Sequence, residues 1–280
     1  MMVAGRKSRR WRGAGIVCAV TVLLLWSLVP VYWIFITSFK QEQEIYAYPP
    51  TFVPMAPTLT QYATVLFHTG FPMFIRNSVI VAGVTTLISA ATGALGAFAI
   101  ARIRFAGRAA VARLIVVAYL LPPSLLFIPL FIVLQRLGLV DSLGGLIAAY
   151  LTFSIPFSTW MLIGHIRTIP SELDEAARID GASRLQVLLR VILPLTLPGL
   201  SVVSLFAFTH AWNEFLYALV FVYSNGTRTI TAGLASLTMG DTFIWGQLMA
   251  ASVLAIVPVL IIYLIAQRWL IAGLTGGSIK

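Results

Sequence analysis

The amino-acid sequence predicts an all-α membrane protein that crosses the bilayer six times. Three observations support this fold class: the apolar composition, six long uncharged stretches, and an uneven distribution of basic residues. Hydrophobic residues make up 59% of the 280-residue chain and charged residues only 10%, whereas a soluble domain carries about 25% charged residues. The composition therefore indicates a chain that is solvated mainly by lipid.

Six stretches without Asp, Glu, Lys or Arg account for most of this charge deficit. Each is at least 22 residues long, and a helix needs about 20 residues to cross the hydrocarbon core. Every backbone amide in lipid must find its hydrogen bond within the protein, so each stretch predicts one spanning helix. The stretches are 13–39, 77–101, 114–135, 142–166, 191–213 and 242–267.

The basic residues predict the orientation of these helices. With the N-terminus in the cytoplasm, fifteen Lys and Arg residues fall inside and four fall outside, which is a strong positive-inside bias. The net charge of +10 could also indicate nucleic-acid binding, but that needs a basic face on a soluble domain, and the chain has no room for one. The four outer residues are Lys40, Arg76, Arg136 and Arg228.

The first apolar stretch is interpreted as a retained helix. A cleaved signal peptide is the alternative, but the stretch is too long and no clear small-x-small cleavage site precedes Lys40. We therefore expect a cytoplasmic tail at 1–13, one transmembrane domain at 14–270, and a second cytoplasmic tail at 271–280. The lone Cys18 excludes an intramolecular disulfide.

Two outer segments have distinct composition. The segment from Lys40 to Arg76 contains Pro49, Pro50, Pro54 and Pro57 and is expected to be mostly extended or turn structure. The segment at about 224–241 contains Asn225-Gly226 and two more glycines, which predicts a turn-rich loop that reaches outward.

Prolines and glycines interrupt several spans. Pro122 and Pro123 should kink the third span, because proline has no N–H to donate. Gly83, Gly93 and Gly96 in the second span would allow close approach of another helix.

The segment 169–194, between the fourth and fifth spans, predicts two short helices at an angle. Ser171 and Asp174 resemble a capping box, and Gly181 would end the first helix in a left-handed conformation. Ser183 and Gln186 form a second capping box. The second helix would carry one apolar face, made of Leu185, Leu188, Leu189 and Ile192.

The first short helix has a narrow face and a charged rim. Ala176 and Ala177 keep the face narrow, and Glu175, Arg178 and Asp180 surround it. Such a helix suits insertion into a groove of another protein. An amphipathic loop lying on the membrane surface is the alternative, and the residues alone leave both interpretations open.

The same segment resembles the EAA motif of importer-type ABC permeases. That motif reads Glu-Ala-Ala, three residues, Gly, nine residues, Ile, one residue, Leu-Pro, and the only departure here is Val191 in place of Ile. About one chain in ten thousand would match this well by chance at average residue frequencies. The matching residues are Glu175, Ala176, Ala177, Gly181, Leu193 and Pro194.

Three further segments extend the resemblance to the carbohydrate subfamily, and most closely to the smaller, six-helix subunit of the maltose permease. They read Arg-Leu-Gly-Leu-Val-Asp-Ser at 136–142, Ala-Trp-Asn-Glu-Phe at 211–215, and Gly-Leu-Thr-Gly-Gly-Ser-Ile-Lys at 273–280. The resemblance implies a type I ABC importer permease fold and the import of a sugar or similar polar solute.

The resemblance also implies partners. These are a second homologous permease, two ATP-binding subunits and an extracytoplasmic solute-binding protein. The segment 169–194 would be the coupling loop, which docks in a cleft of an ATP-binding subunit. Glu175 and Asp180 would meet polar groups of that subunit, and Ala177 would face the wall of its cleft.

The chain is not expected to hydrolyse ATP itself. A P-loop needs Gly-Lys before Ser or Thr, and none of Lys7, Lys40 and Lys280 follows a glycine. Leu274-Thr-Gly-Gly-Ser is similar to an ABC signature sequence, but without a P-loop we treat this as coincidence. We expect no cofactor, metal site or catalytic triad in this chain, and ATP would bind to the partner subunits.

A polar cluster lies near the end of the fifth span: His210, Trp212, Asn213 and Glu214. A carboxylate is costly in a membrane and usually faces a cavity or the bundle interior. His210 and Glu214 are four residues apart and would share one helix face. The cluster could line the solute path, form a packing network, or relay protons.

The proton relay defines the main rival function, a proton-coupled secondary transporter that uses Glu214 and His210. It leaves the EAA-like segment unexplained. A polytopic membrane enzyme is a third possibility, and the sequence offers no catalytic constellation for it.

Overall fold

The structure is a computed structural model that describes residues 4–238 and 244–276, with side chains described for 15–238 and 244–267. Within these ranges the chain is helical and contains no β-strand, which confirms the all-α prediction. The chain forms two compact units, Met1–Thr69 with Leu237–Leu254 and Gly70–Ser236 with Ala255–Lys280. The helices are α1 (Ala4–Thr37), α2 (Glu42–Ile45), α3 (Thr60–Phe67), α4 (Phe71–Arg102), α5 (Arg108–Leu120), α6 (Pro123–Arg136), α7 (Leu143–Arg167), α8 (Glu172–Ile179), α9 (Arg184–Val187), a π-turn (Leu188–Ile192), α10 (Leu193–Asn213), α11 (Leu216–Phe221), α12 (Ile230–Ser236) and α13 (Trp245–Gly276).

Helices α1 and α13 extend into the two predicted tails. Helix α1 begins at Ala4, within the predicted 1–13 tail, and α13 continues to Gly276, within the predicted 271–280 tail. Residues 277–280 of the second tail lie outside the described ranges.

Five of the six predicted spans contain one helix long and apolar enough to cross a membrane. The third does not: α5 and α6 meet at a bend of 99°, which is much sharper than the expected kink. Leu121 and Pro122 both adopt extended backbone angles between the two helices, because a residue before proline is excluded from the helical region. The five are Gly15–Thr37, Phe71–Arg102, Leu143–Arg167, Arg184–Asn213 and Trp245–Gln267.

The proline-rich segment after α1 is less extended than predicted. It contains α2 and α3, and α4 already begins at Phe71, so irregular structure is concentrated at 46–59, where the prolines lie. Lys40 is buried in this unit, and its charge is satisfied locally. Its Nζ donates to the carbonyl of Thr51 and lies 4.6 Å from the centroid of the Trp33 ring.

Small residues bring α4 and α7 into close contact in the second unit. A Cβ atom added to Gly93 would lie 2.7 Å from Cβ of Ser158, and one added to Gly96 would lie 3.2 Å from Cγ2 of Thr159. These distances confirm the close approach predicted for both glycines. Gly83 has open space around it, so no other helix of this chain approaches it closely.

The loop after α11 is anchored to the bundle. The backbone N–H groups of Tyr223 and Ser224 donate to Oδ1 of Asp141 at 3.0 and 3.1 Å, and the Thr227 hydroxyl donates to the same oxygen. Asn77 donates from Nδ2 to two carbonyl oxygens of this loop, at 2.9 Å each. The described part of the predicted reaching loop is therefore folded back and continues as α12; residues 239–241 lie outside the described ranges.

Asp141 provides a test of this anchoring. Burial raises the pKa of its carboxyl, but hydrogen bonds from Thr227, Ser224 and Tyr223 outweigh burial and leave the pKa below its ordinary value. We expect Asp141→Ala to reduce the unfolding free energy by about 1–2 kcal/mol. This value is at the low end for hydrogen bonds to a charged group, because the Asp141 side chain is only half-buried. Asp141→Asn should lose less, since Asn keeps an acceptor and tolerates the φ of 56° at this position.

The pH dependence gives a second readout of the same variants. A lowered pKa means that the stabilisation is complete above the ordinary Asp value of about 4 and is lost as pH falls through the folded-state pKa. Thermal unfolding in detergent, measured at neutral and acidic pH, should therefore show the wild-type advantage over Asp141→Ala shrinking in acid. An equal loss in the Ala and Asn variants at neutral pH would contradict the anchoring role.

Candidate functional site

The coupling loop, residues 169–194, contains a short helix whose end is fixed by backbone geometry. The N–H of Ala182 donates to the carbonyl of Ala177 at 2.9 Å, and the N–H of Gly181 donates to that of Arg178 at 3.1 Å. This is the Schellman pattern. It requires the left-handed conformation that Gly181 adopts, with φ of 85°, which confirms the predicted end of α8.

The start of α8 differs from the prediction. Ser171 has helical backbone angles and its side chain caps nothing, and the Asp174 side chain pairs with Arg102 instead, so the first predicted capping box was wrong. The second capping box is present. The N–H of Ser183 donates to Oε1 of Gln186 at 2.7 Å, and the N–H of Gln186 donates to Oγ of Ser183 at 3.3 Å.

Arg102 connects three elements at this end of the bundle. Its Nε lies 3.0 Å from Oδ2 of Asp174 in α8, and both side chains are nearly buried, with 12% and 13% exposure. One guanidinium nitrogen also donates to the carbonyls of Ile166 and Ile169, at 3.2 and 2.5 Å, at the end of α7. Arg102 itself is the last residue of α4, so one side chain joins α4, α7 and α8.

The electrostatic environment of Asp174 shows why this contact matters. Burial raises the pKa of the Asp174 carboxyl, the Arg102 charge lowers it, and the neighbouring Glu175 raises it again, for a net value above the ordinary one. Arg102 therefore offsets only part of the cost of burying the carboxylate. The sequence analysis used Arg102 only to predict the orientation of the helices. It missed this ion pair because Asp174 is far from Arg102 in the sequence.

The exposed side of α8 carries most of the residues predicted to dock. Glu175, Ala176 and Asp180 are exposed, and Ile179 is 85% exposed. Ala177 differs: it is half-buried and packs against the apolar core that includes Ile166 and Ile192. Ala177 therefore faces its own bundle, contrary to the expectation that it faces a partner. Sequence reasoning missed Ile179, which lies within the same charged rim.

A π-turn joins the coupling loop to α10. The N–H of Leu193 donates to the carbonyl of Leu188, five residues back, and Pro194 follows in the first turn of α10. A proline here cannot donate to the carbonyl four residues earlier and would clash with it in a regular helix, so a widened turn accommodates it.

The predicted apolar face of the second short helix contains buried and exposed side chains. Leu188 and Ile192 are buried, whereas Leu185 and Leu189 are 56% and 52% exposed. The predicted apolar face is therefore only partly covered within this chain.

The polar cluster at the C-terminal end of α10 does not form one helix face. Helix α10 ends at Asn213, and Glu214 has extended backbone angles, so His210 and Glu214 do not share a helix face. The Glu214 carboxylate accepts hydrogen bonds from the N–H groups of Tyr217 and Ala218, at 3.0 and 3.1 Å, and from the Tyr150 hydroxyl at 2.9 Å. It caps α11 and joins it to α7.

The remaining members of the cluster have different surroundings. Trp212 is 3% exposed and stacks on Phe208, with ring centroids 5.6 Å apart. His210 is half-buried and packs on Phe153 at 4.4 Å, and Asn213 is exposed. This geometry supports the packing interpretation for Trp212 and Glu214 and leaves His210 and Asn213 as candidates for the solute path.

Comparison with known proteins identifies the family. Residues 89–276 match the family described as binding-protein-dependent transport system inner membrane component. The inner membrane ABC transporter permease protein YcjP of Escherichia coli (strain K12) is 35% identical over 95% of this chain and 96% of its own length. The trehalose/maltose transport system permease protein MalG of Thermococcus litoralis is 35% identical over 90% of this chain and 91% of its own.

A third relative and a solved structure agree with this assignment. The sulfoquinovosyl glycerol transport system permease protein SmoH of Agrobacterium fabrum is 37% identical over 94% of this chain and 92% of its own. A chain in the crystal structure of a bacterial ABC transporter involved in the import of alginate has a TM-score of 0.79 at 23% identity, covering 96% of this chain and 100% of that chain.

The chain belongs to the family of binding-protein-dependent ABC importer permeases. It is a multi-pass protein of the bacterial inner membrane and a pore-forming subunit of an importer. Its relatives are permease subunits and not enzymes.

Glu214 gives a test of the packing interpretation. We expect Glu214→Ala to reduce thermal stability in detergent by about 2–4 kcal/mol, because two helix-end N–H groups and the Tyr150 hydroxyl lose their acceptor. Glu214→Gln keeps one carbonyl acceptor and should lose less than half as much. The exposed neighbour provides the control: Asn213→Ala should leave stability unchanged, and a Glu214→Ala variant as stable as this control would contradict the capping role.

Proposed function

We propose that this chain pairs with a second, homologous permease and transmits ATP-driven motion into the membrane through its coupling loop. The observation that carries the proposal is the construction of α8. Its docking side is exposed, its end is held by the Schellman motif at Gly181, and Asp174 ties it through Arg102 to α4 and α7. A force on α8 would therefore reach two spanning helices directly.

The proposed assembly contains two ATP-binding subunits and an extracytoplasmic solute-binding protein. A crystal structure of an alginate transporter in complex with a pentasaccharide-bound periplasmic protein, with TM-score 0.70, matches this fold. The family description itself specifies dependence on a binding protein. ATP binds to the partner subunits in this proposal, so this chain needs no cofactor, and it binds no nucleic acid.

The proposed solute is a sugar or similar polar molecule. This follows from relatives named for trehalose/maltose and for sulfoquinovosyl glycerol. His210 and Asn213 are proposed to line the path, since Trp212 and Glu214 are engaged in packing.

The proposed orientation places both termini and the coupling loop in the cytoplasm, as the positive-inside distribution indicates. A reporter fused after Lys280 should work only in the cytoplasm, and one inserted near Asn225 only outside. The reverse pattern would exclude this orientation.

The geometry argues against the proton-coupled alternative. The Glu214 carboxylate accepts hydrogen bonds from two backbone N–H groups and a tyrosine hydroxyl, so taking up a proton would weaken these bonds and disrupt the end of α11. Transport in vesicles supplied with ATP should therefore survive an uncoupler. Loss of transport on collapse of the proton gradient at fixed ATP would favour the alternative.

Two variants of α8 distinguish docking from internal packing. Glu175→Lys reverses a charge on the exposed side, so we expect the ATP-binding subunit to be lost on co-purification while thermal stability is unchanged. Ala177→Leu adds volume toward the bundle and should lower stability by about 1–3 kcal/mol through overpacking. Glu42→Lys, on the exposed side of helix α2 and outside the coupling loop, is the matched charge-reversal control and should retain the ATP-binding subunit.

Gly181→Val extends the test to the end of α8. Open space surrounds this position, so the expected loss of coupling comes from backbone strain of roughly 1–2 kcal/mol. Normal co-purification of the ATP-binding subunit with both Glu175→Lys and Gly181→Val would contradict the docking proposal.

A further inference from the structure

A basic cavity of about 640 Å³ lies beside α8. It is bounded by the end of α4, the segment before α5, and the two short helices of the coupling loop. Two carboxylates, Asp174 and Glu175, also reach it. The cavity is lined by five arginines: Arg102, Arg104, Arg108, Arg178 and Arg184.

Most of this positive charge is not compensated within the chain. Arg102 is paired with Asp174. The other four arginines make no hydrogen bond or ion pair with any side chain at 15–238 or 244–267, and Glu175 supplies the one further negative charge at the cavity. Like charges gathered in a partly enclosed space repel one another. An anion in the cavity would remove this repulsion, and guanidinium groups suit phosphate oxygens in particular.

The cavity continues toward the apolar surface of a membrane helix. A second hollow of about 460 Å³ shares Arg104 and Arg108 with it and extends along the first turn of α5 to Arg113. Beyond Arg113, the exposed side of α5 is apolar, with Leu114 and Val117 at 67% and 54% exposure. Free guanidinium groups therefore stand at the end of a lipid-compatible helix face.

We propose that the basic cavity binds the phosphate group of an anionic membrane lipid, whose acyl chains lie along α5. Inorganic phosphate shares the headgroup chemistry but would use the arginines alone and leave the apolar face of α5 without a role. An acidic segment of a partner protein would likewise ignore α5. Because Arg178 and Arg184 flank Gly181 in the coupling loop, the bound lipid would also hold α8 against the bundle.

The experiment uses the purified transporter that contains this chain, in detergent, with phosphatidylglycerol, phosphatidylcholine or inorganic phosphate added. Thermal unfolding measures stabilisation, and native mass spectrometry counts bound lipid. Phosphatidylglycerol should stabilise the protein, and the other two additives should not. The Arg104→Gln/Arg108→Gln variant should bind phosphatidylglycerol about twenty-five-fold more weakly, since each arginine near an anionic headgroup contributes roughly a factor of five.

The control variant is Arg136→Gln/Arg190→Gln, which removes the same charge outside the basic cavity and should bind phosphatidylglycerol like the wild type. If the first variant does not assemble, Arg178→Gln/Arg184→Gln replaces it with the same expectation. Equal stabilisation by inorganic phosphate would overturn the lipid assignment. Unchanged phosphatidylglycerol binding by the cavity variants would overturn the site, and loss of the ATP-binding subunit without any change in lipid binding would assign the cavity to a protein partner.

Discussion

The ion pair between Arg102 and Asp174 is the contact on which the organisation of the coupling loop depends. Both side chains are nearly buried, and leaving one buried charge without its partner costs about 3–5 kcal/mol in comparable sites, less where some water remains. The same guanidinium also donates to two carbonyls at the end of α7. The ion pair therefore fixes α8 to both α4 and α7. The exposed carboxylates of α8, Glu172 and Glu175, remain available for a partner.

The two spanning helices that Arg102 connects, α4 and α7, are also packed directly against each other. Close contacts of Gly93 with Ser158 and of Gly96 with Thr159 bring these two helices together. At the C-terminal end of the coupling loop, the π-turn before Pro194 continues directly into α10. A displacement of α8 would therefore act on α4, α7 and α10 together, as alternating access requires.

The sequence predicts the parts of this structure that depend on near neighbours. Charge-free stretches are long enough to predict the spans. Within the coupling loop, Gly181 predicts the end of α8 and the Ser183–Gln186 capping box predicts the start of α9. Two predictions failed because a distant residue decides the outcome: the Asp174 side chain pairs with Arg102 instead of forming the expected capping box, and the Glu214 side chain bonds Tyr150 beyond the end of α10. The family-like segments at 136–142 and 211–215 also prove structural, since Asp141 anchors a loop and Glu214 caps a helix.

The most direct test is site-specific photo-cross-linking from position 179, whose side chain is 85% exposed at the tip of α8. In the assembled transporter, a photoreactive residue at Ile179 should cross-link to an ATP-binding subunit, and Arg102→Gln should reduce the yield because α8 loses its fixed orientation. A photoreactive residue at Met55, which is 81% exposed in the first unit, should give no such product. Cross-links from position 179 to lipid alone, or a yield unaffected by Arg102→Gln, would contradict the account.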